Sequence, residues 1–222
     1  MKPFNYFFTL IVFSLAACNG RTKSGEQPAT FVDTTMPFKK EIPTYPGGGV
    51  DIFYELAKAK QKQLGLDNLE SGFDNLQIRI WYEFSLVRER KLVVITNGDT
   101  YWKATIYNLQ VDWDGQTETI LSKTVKQVTP KSGWDVFLKK LMDFKILTLP
   151  DQNDIPSYGG GNDGNTYNIE VATKNQYRFY GYWEPQVYQD KYWQAKNMVD
   201  ILKLIKQEFA VCEEPERFGG CK

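Results

Sequence analysis

Leu76-Gln77-Ile78-Arg79-Ile80-Trp81-Tyr82-Glu83-Phe84-Ser85-Leu86 is the stretch on which the fold turns. Leu76, Ile78, Ile80, Tyr82, Phe84 and Leu86 alternate strictly with Gln77, Arg79, Trp81, Glu83 and Ser85. A period of two is the mark of a strand, because successive side chains point to opposite faces of a sheet. Arg88-Glu89-Arg90 reads as a turn, and Lys91 to Thr96 as a second, nearly all-apolar strand. Asn97-Gly98 favours positive φ and reads as a hairpin turn. Tyr101 to Val111 follows as a third strand, Asp114-Gly115 as a turn, and Thr117 to Val128 as a fourth strand. Four strands in a row joined by tight turns predict an antiparallel meander.

Helical patterns flank the meander. Asp51 is placed to cap a helix over Ile52 to Leu64, with Ile52, Leu56 and Leu64 on one face, the lysines opposite, and Gly65 to stop it. Pro130 ends the strands, and Ser132 with Asp135 resembles a capping box. A helix over Trp134 to Phe144 then spaces Trp134, Phe137, Leu138, Leu141 and Met142 for burial. A Gly/Asn/Asp-rich loop, Pro150 to Asn165, leads to a second hairpin, Thr166 to Thr173 and Tyr177 to Trp183. The last helix runs from Lys191 to Phe209. The order α-ββββ-α-ββ-α predicts an α+β fold, since strands come in runs and do not alternate with helices. The expectation is a six-stranded, mainly antiparallel sheet with helices packed on one face, in one domain over residues 50–210. Whether the second hairpin joins the first sheet stays open.

Composition narrows the function. The chain has 222 residues, 27 basic and 27 acidic side chains, and no histidine. A balanced charge argues against nucleic acid, which needs a basic face. Without histidine there is no Ser-His-Asp or Cys-His mechanism and no histidine metal ligand. No metal site and no cofactor are expected.

The N-terminus carries an address. Lys2 precedes an apolar run, Tyr6 to Leu15, of secretory-signal length and too short to span a bilayer. Leu15-Ala16-Ala17-Cys18 follows directly. This tetrapeptide resembles the lipobox of bacterial lipoproteins. The resemblance implies cleavage after residue 17, diacylglyceryl attachment to the Cys18 sulfur and acylation of the new amino terminus. Several chains on one residue anchor a protein stably, where one chain binds marginally. The competing reading is an ordinary cleaved signal that leaves Cys18 a free thiol; Leu15 then sits at −3, where a small residue is preferred. By the retention rule of enteric lipoproteins, Asn19 permits export to an outer membrane. The expected localisation is therefore the cell envelope, with a lipid bilayer as partner through acylated Cys18. Residues 18–49 read as the lipidated cysteine and a flexible tether ending in Pro46-Gly47-Gly48-Gly49. Cys212 and Cys221 enclose a Pro/Gly-containing tail, residues 211–222, which a disulfide would close in an oxidising envelope. Two buried free thiols are the alternative.

Gln77 to Tyr82, Lys131-Ser132-Gly133-Trp134 and Ile146-Leu147-Thr148-Leu149-Pro150-Asp151 resemble segments of lipoproteins from Bacteroidetes-type bacteria. That likeness implies an envelope lipoprotein and carries no activity with it. In Tyr177 to Trp183, one face holds Tyr177, Phe179 and Trp183, and the other holds Arg178, Tyr180 and Tyr182. With helices on only one face, Arg178, Tyr180 and Tyr182 would lie exposed, with Tyr188 and Tyr192 nearby. Flat rings with polar tips suit a protein or glycan partner. The plainer reading makes these rings a two-sided core or padding under the long loop. For catalysis, Glu83, Asp112, Asp114 and Glu170 are the carboxylates that could pair as a glycosidase requires. Gly159 to Asn165 is a single glycine/aspartate copy, read as a mobile loop and not as a calcium turn. The favoured function is a non-catalytic envelope binder of the accessory, inhibitor or immunity type. A carboxylate-dependent hydrolase of an envelope polysaccharide is the alternative.

Overall fold

The computed structural model describes residues 37–45, 48–98, 101–161 and 163–211. Residues 1–17, expected to be a signal, and Cys18, Cys212 and Cys221 lie outside the described residues. The elements are β1 (Lys39–Glu41), α1 (Ile52–Leu64), β2 (Leu76–Phe84), β3 (Glu89–Asn97), β4 (Trp102–Trp113) and β5 (Glu118–Val128). They continue with α2 (Trp134–Asp143), β6 (Asn165–Thr173), β7 (Gln176–Trp183), α3 (Pro185–Tyr188) and α4 (Trp193–Phe209).

The fold is α+β. Among the described residues the strands form one seven-stranded sheet, ordered β1-β7-β6-β2-β3-β4-β5. The meander stands as predicted. The second hairpin joins it, because β6 pairs antiparallel with β2 from Leu76↔Thr173 to Phe84↔Asn165. β2 is therefore central and buried along its whole length.

Three expectations need correction. The sheet has a seventh strand, β1, which pairs parallel with β7. It arises from the end of the supposed tether, where Lys39-Lys40-Glu41 carries no apolar alternation to announce it. Second, the helices cover both faces. α2 and α4 bury Phe137, Leu141, Ile201, Leu202 and Ile205 against Ile78, Ile80, Tyr82, Ile169 and Tyr180. α1 covers the opposite face, where Tyr54, Ala57 and Leu64 meet Trp81, Leu92, Tyr177 and Phe179. Third, the capping box at Ser132 is absent. Gly133 occupies the cap position with no side-chain bond, and the Ser132 N–H donates instead to Glu208 of α4 at 2.8 Å.

α1 has the predicted ends. The Asp51 carboxylate accepts the Phe53 N–H at 2.7 Å, and Gly65 closes the helix at φ 67°. Its rotation differs from the apolar reading. Tyr54, Ala57, Lys60, Gln61 and Leu64 face the sheet, while Ile52 is exposed. The reason is on the sheet: the face that α1 covers carries Gln77, Arg79, Glu83 and Glu170, and these need polar partners when water is excluded.

Two ionic networks result. Lys60 reaches Glu83 at 2.8 Å and Glu118 at 2.6 Å, and Arg90 pairs with the same two carboxylates. Two cations and two anions close a neutral ring drawn from α1, β2, β3 and β5. In the second network the Glu170 carboxylate meets Arg79 at 3.3 Å and Lys58 at 3.4 Å, and accepts from the Tyr177 hydroxyl at 2.9 Å and the Trp81 indole at 3.4 Å.

Candidate functional site

The outer edge of β7 fixes the geometry of the candidate site. β1 satisfies only Gln176 to Arg178 of that edge, so the amides further along need other partners. The chain leaving α2 supplies them. Asp151 accepts the Gly181 N–H at 2.8 Å, and the Gln152 side chain accepts the Trp183 N–H at 2.6 Å.

The same strand grips that chain from its other groups. Arg178 donates to the Leu147 carbonyl at 2.5 Å and to the Leu149 carbonyl at 2.8 Å. The Tyr180 hydroxyl donates to Ile146 at 2.5 Å, and the Tyr182 hydroxyl to Pro150 at 2.6 Å. Arg178, Tyr180 and Tyr182 are therefore buried, which corrects the exposed aromatic face expected from the sequence. Their polar tips are spent on backbone carbonyls because an unpaired carbonyl at this depth would be costly. Burial pushes both tyrosine hydroxyls well above their ordinary pKa.

Tyr188 and Tyr192 are half-buried and belong to a ring cluster with Tyr158 and Trp183. The Tyr192 hydroxyl donates to the Ser157 carbonyl at 2.7 Å, and the Tyr158 hydroxyl to the Trp183 carbonyl at 3.2 Å. These rings pad the loop, as the plainer reading had it. Gly159 and Gly161 lie flush against Tyr188 and Trp183, where a Cβ would collide with the rings. Close ring approach accounts for the glycines there, and the loop reads as packed, not as a free connector.

Between β1 with its continuation to Thr44 and the 148–154 segment lies a cleft of about 460 Å³. Lys40, Glu41, Thr44, Thr148, Asn153 and Asp154 stand around it, with Asp151, Arg178 and Tyr180 at its base. Arg178 also pairs with Glu41 across the β1–β7 register. Two carboxylates here are driven apart. Burial raises Asp151 to a pKa of about 6, against the bonds from Asn153 and Gly181, with the charges of Asp51 and Asp154 adding to the rise. Glu41 moves the other way: burial opposes it, but Lys39 and Arg178 win and hold it below the ordinary carboxylate range.

The carboxylates singled out from sequence are not brought together as a reactive pair. Glu83 and Glu170 sit in separate ionic networks beneath α1. Asp112 pairs with Arg88 at 3.1 Å on the surface. Asp114 accepts the Gln116 and Thr117 amides of its own turn, which lowers its pKa. Asp151 ends the segment Ile146 to Asp151, and nothing in its sequence setting marks it as a titrating group. Its only local signal was Asp151-Gln152-Asn153, an Asx-type turn; its burial depends on β7. The Trp81 indole N–H, beside Arg79 on the same face, donates to Glu170 at 3.4 Å.

No family model matches the chain, and no curated protein or solved structure matches it either.

Proposed function

We propose that the chain is a lipid-anchored lipoprotein of the cell envelope, held through acylated Cys18, whose α+β domain is a non-catalytic binding module for an envelope protein or glycan. The anchor rests on the signal segment and Leu15-Ala16-Ala17-Cys18. The binding role rests on one observation: the cleft beside β7 offers Thr44, Thr148, Asn153 and Asp154 outward, while Asp151 and Glu41 spend their oxygens on the fold. Such an arrangement supplies hydrogen-bond groups in a concave setting.

The experiment is capture from envelope extract with the wild-type chain and with Thr148→Trp, which fills the cleft from an exposed position. A macromolecule held by the wild type and lost by Thr148→Trp supports the cleft as the binding site. Equal capture by both overturns it.

One observation favours the hydrolase alternative. Asp151, raised to about 6, and the ionised Glu41 line the same cleft, and carboxylates pushed apart in this way serve as acid and base in glycosidases. Release of reducing ends from envelope polysaccharide by the wild type, abolished in Asp151→Asn, would establish that reading in place of the first.

A further inference from the structure

The rotation of α1 leaves an apolar tip at one end of the sheet. That end gathers the start of α1, the β2–β3 turn and the β4–β5 turn. Ile52 (48% exposed), Leu86 (68%) and Trp113 (47%) stand there around one recess, with Phe53, Leu56 and Val87 half-buried between them. Tyr45 and Val50, both exposed, extend the patch: Val50 bridges back to Thr44, and the Ile52 N–H donates to the Tyr45 hydroxyl at 3.3 Å. Contiguous exposed apolar surface of this kind marks a contact site.

The charged side chains that line the recess are already paired. Arg90 and Glu118, at the floor of the recess, belong to the closed ring with Lys60 and Glu83. Arg88 pairs with Asp112, and Asp114 caps its own turn. Nothing in the recess is set up to select a charged partner. Leucine and isoleucine on turn and helix tips beside a tryptophan suit the boundary between lipid headgroups and acyl chains.

We infer that this tip rests in the surface of the bilayer to which the chain is anchored, as a second, non-covalent contact of the domain with lipid. The inference depends on the anchoring reading of Cys18. Chain length permits it. β1 runs parallel to β7, so the chain enters the sheet at the end away from the tip. A nine-residue strand such as β2 covers about 30 Å. Residues 19–36 can reach at most about 60 Å. A tether of this length lets the domain lie with its tip on the membrane. The cleft beside β7 is lined by other residues, so both contacts can be made at once.

The test places the full lipidated chain on phosphatidylethanolamine/phosphatidylglycerol vesicles containing brominated acyl chains, and compares wild type with Trp113→Phe and Leu86→Asp. The expected result is quenching in the wild type that Trp113→Phe lacks, and its loss in Leu86→Asp while that variant still floats with the vesicles. Equal quenching of wild type and Trp113→Phe overturns the tip contact. Intact mass reports the anchor separately. If Cys18 carries no lipid the anchoring reading fails, and the unlipidated chain mixed with excess vesicles still decides the tip: Trp113 quenching supports it and its absence overturns it.

Discussion

The two faces of the sheet are built on different principles. Under α2 and α4 the contact is apolar: Phe137, Leu141, Ile201, Leu202 and Ile205 pack on isoleucines, valines and tyrosines. Under α1 an apolar strip of Tyr54, Ala57, Trp81 and Phe179 is flanked by two buried ionic networks. Apolar packing is non-directional and tolerates rotation of a helix about its axis. Charge pairs are directional, and a buried charge left alone is severely penalised. The ion pairs therefore fix which side of α1 faces inward, and Ile52 stays outside as a consequence.

The largest effect should come from breaking that difference on the ionic side. Lys60→Ala leaves Glu83 and Glu118 buried around Arg90 alone, and should cost about 3–5 kcal/mol in urea unfolding. Replacing all four members of the ring by apolar residues should cost less than the single change, since no charge is then stranded. On the other face, Leu202→Ala should cost about 2–5 kcal/mol through the cavity it leaves. Its cost should not vary with salt or pH, whereas that of Lys60→Ala should vary with pH.

Matched tyrosines sharpen the contrast. Tyr177 donates to the Glu170 carboxylate, which Arg79 and Lys58 also meet, and Tyr180 to a neutral carbonyl. Tyr177→Phe should cost about 1.5–3 kcal/mol and Tyr180→Phe about 0.5–1.5 kcal/mol, because charge-assisted bonds are the stronger and neither site admits water freely.

Acid should also divide the molecule. Asp151 has a folded pKa of about 6, above its ordinary 3.8, so the folded state holds its proton more tightly. Stability should rise as pH falls from 7 through 6 and level off near 4, by about 1–3 kcal/mol. Asp151→Asn should remove that rise. Glu70, beside α1, is lowered to about 2: burial opposes the shift, and Lys40, Tyr54 and Lys58 outweigh it. Its contribution, present above pH 4.5, is lost as pH falls through about 2, as is that of the lowered Glu118 through its own folded pKa. Unfolding free energies measured from pH 7 to pH 2 should therefore rise and then fall. The smallest change should be Lys139→Ala, which breaks an exposed i,i+4 pair with Asp143 and should move stability by no more than about 0.5 kcal/mol.

Much of the fold was legible. The strict alternation of β2, the turn dipeptides and the ends of α1 gave the strands and helices to within a few residues, because backbone geometry acts over short range. β1 was not legible. Three polar residues acquire strand form only because β7 offers them an edge. The candidate site was legible in part. Arg178 and Tyr180 do line the cleft, but at its base and bonded inward, since the 146–150 carbonyls lie over them. Glu83 and Glu170, on the less apolar faces of their strands, are candidates for a reactive pair in the sequence and members of two separate ionic networks in the fold. Nothing local to those strands says that a helix carrying Lys58 and Lys60 will cover them.

By itself the sequence determined the strands β2 to β7 and the helices α1, α2 and α4, the absence of histidine chemistry, and the lipobox-like start. These depend on spacing along the chain or on single residues. Tertiary structure alone decided that both faces of the sheet are covered, that α1 turns Lys58 and Lys60 inward and Ile52 outward, and that burial raises the Asp151 carboxyl to about 6. Each of those depends on what is excluded from water, and that is settled only when distant segments close over one another.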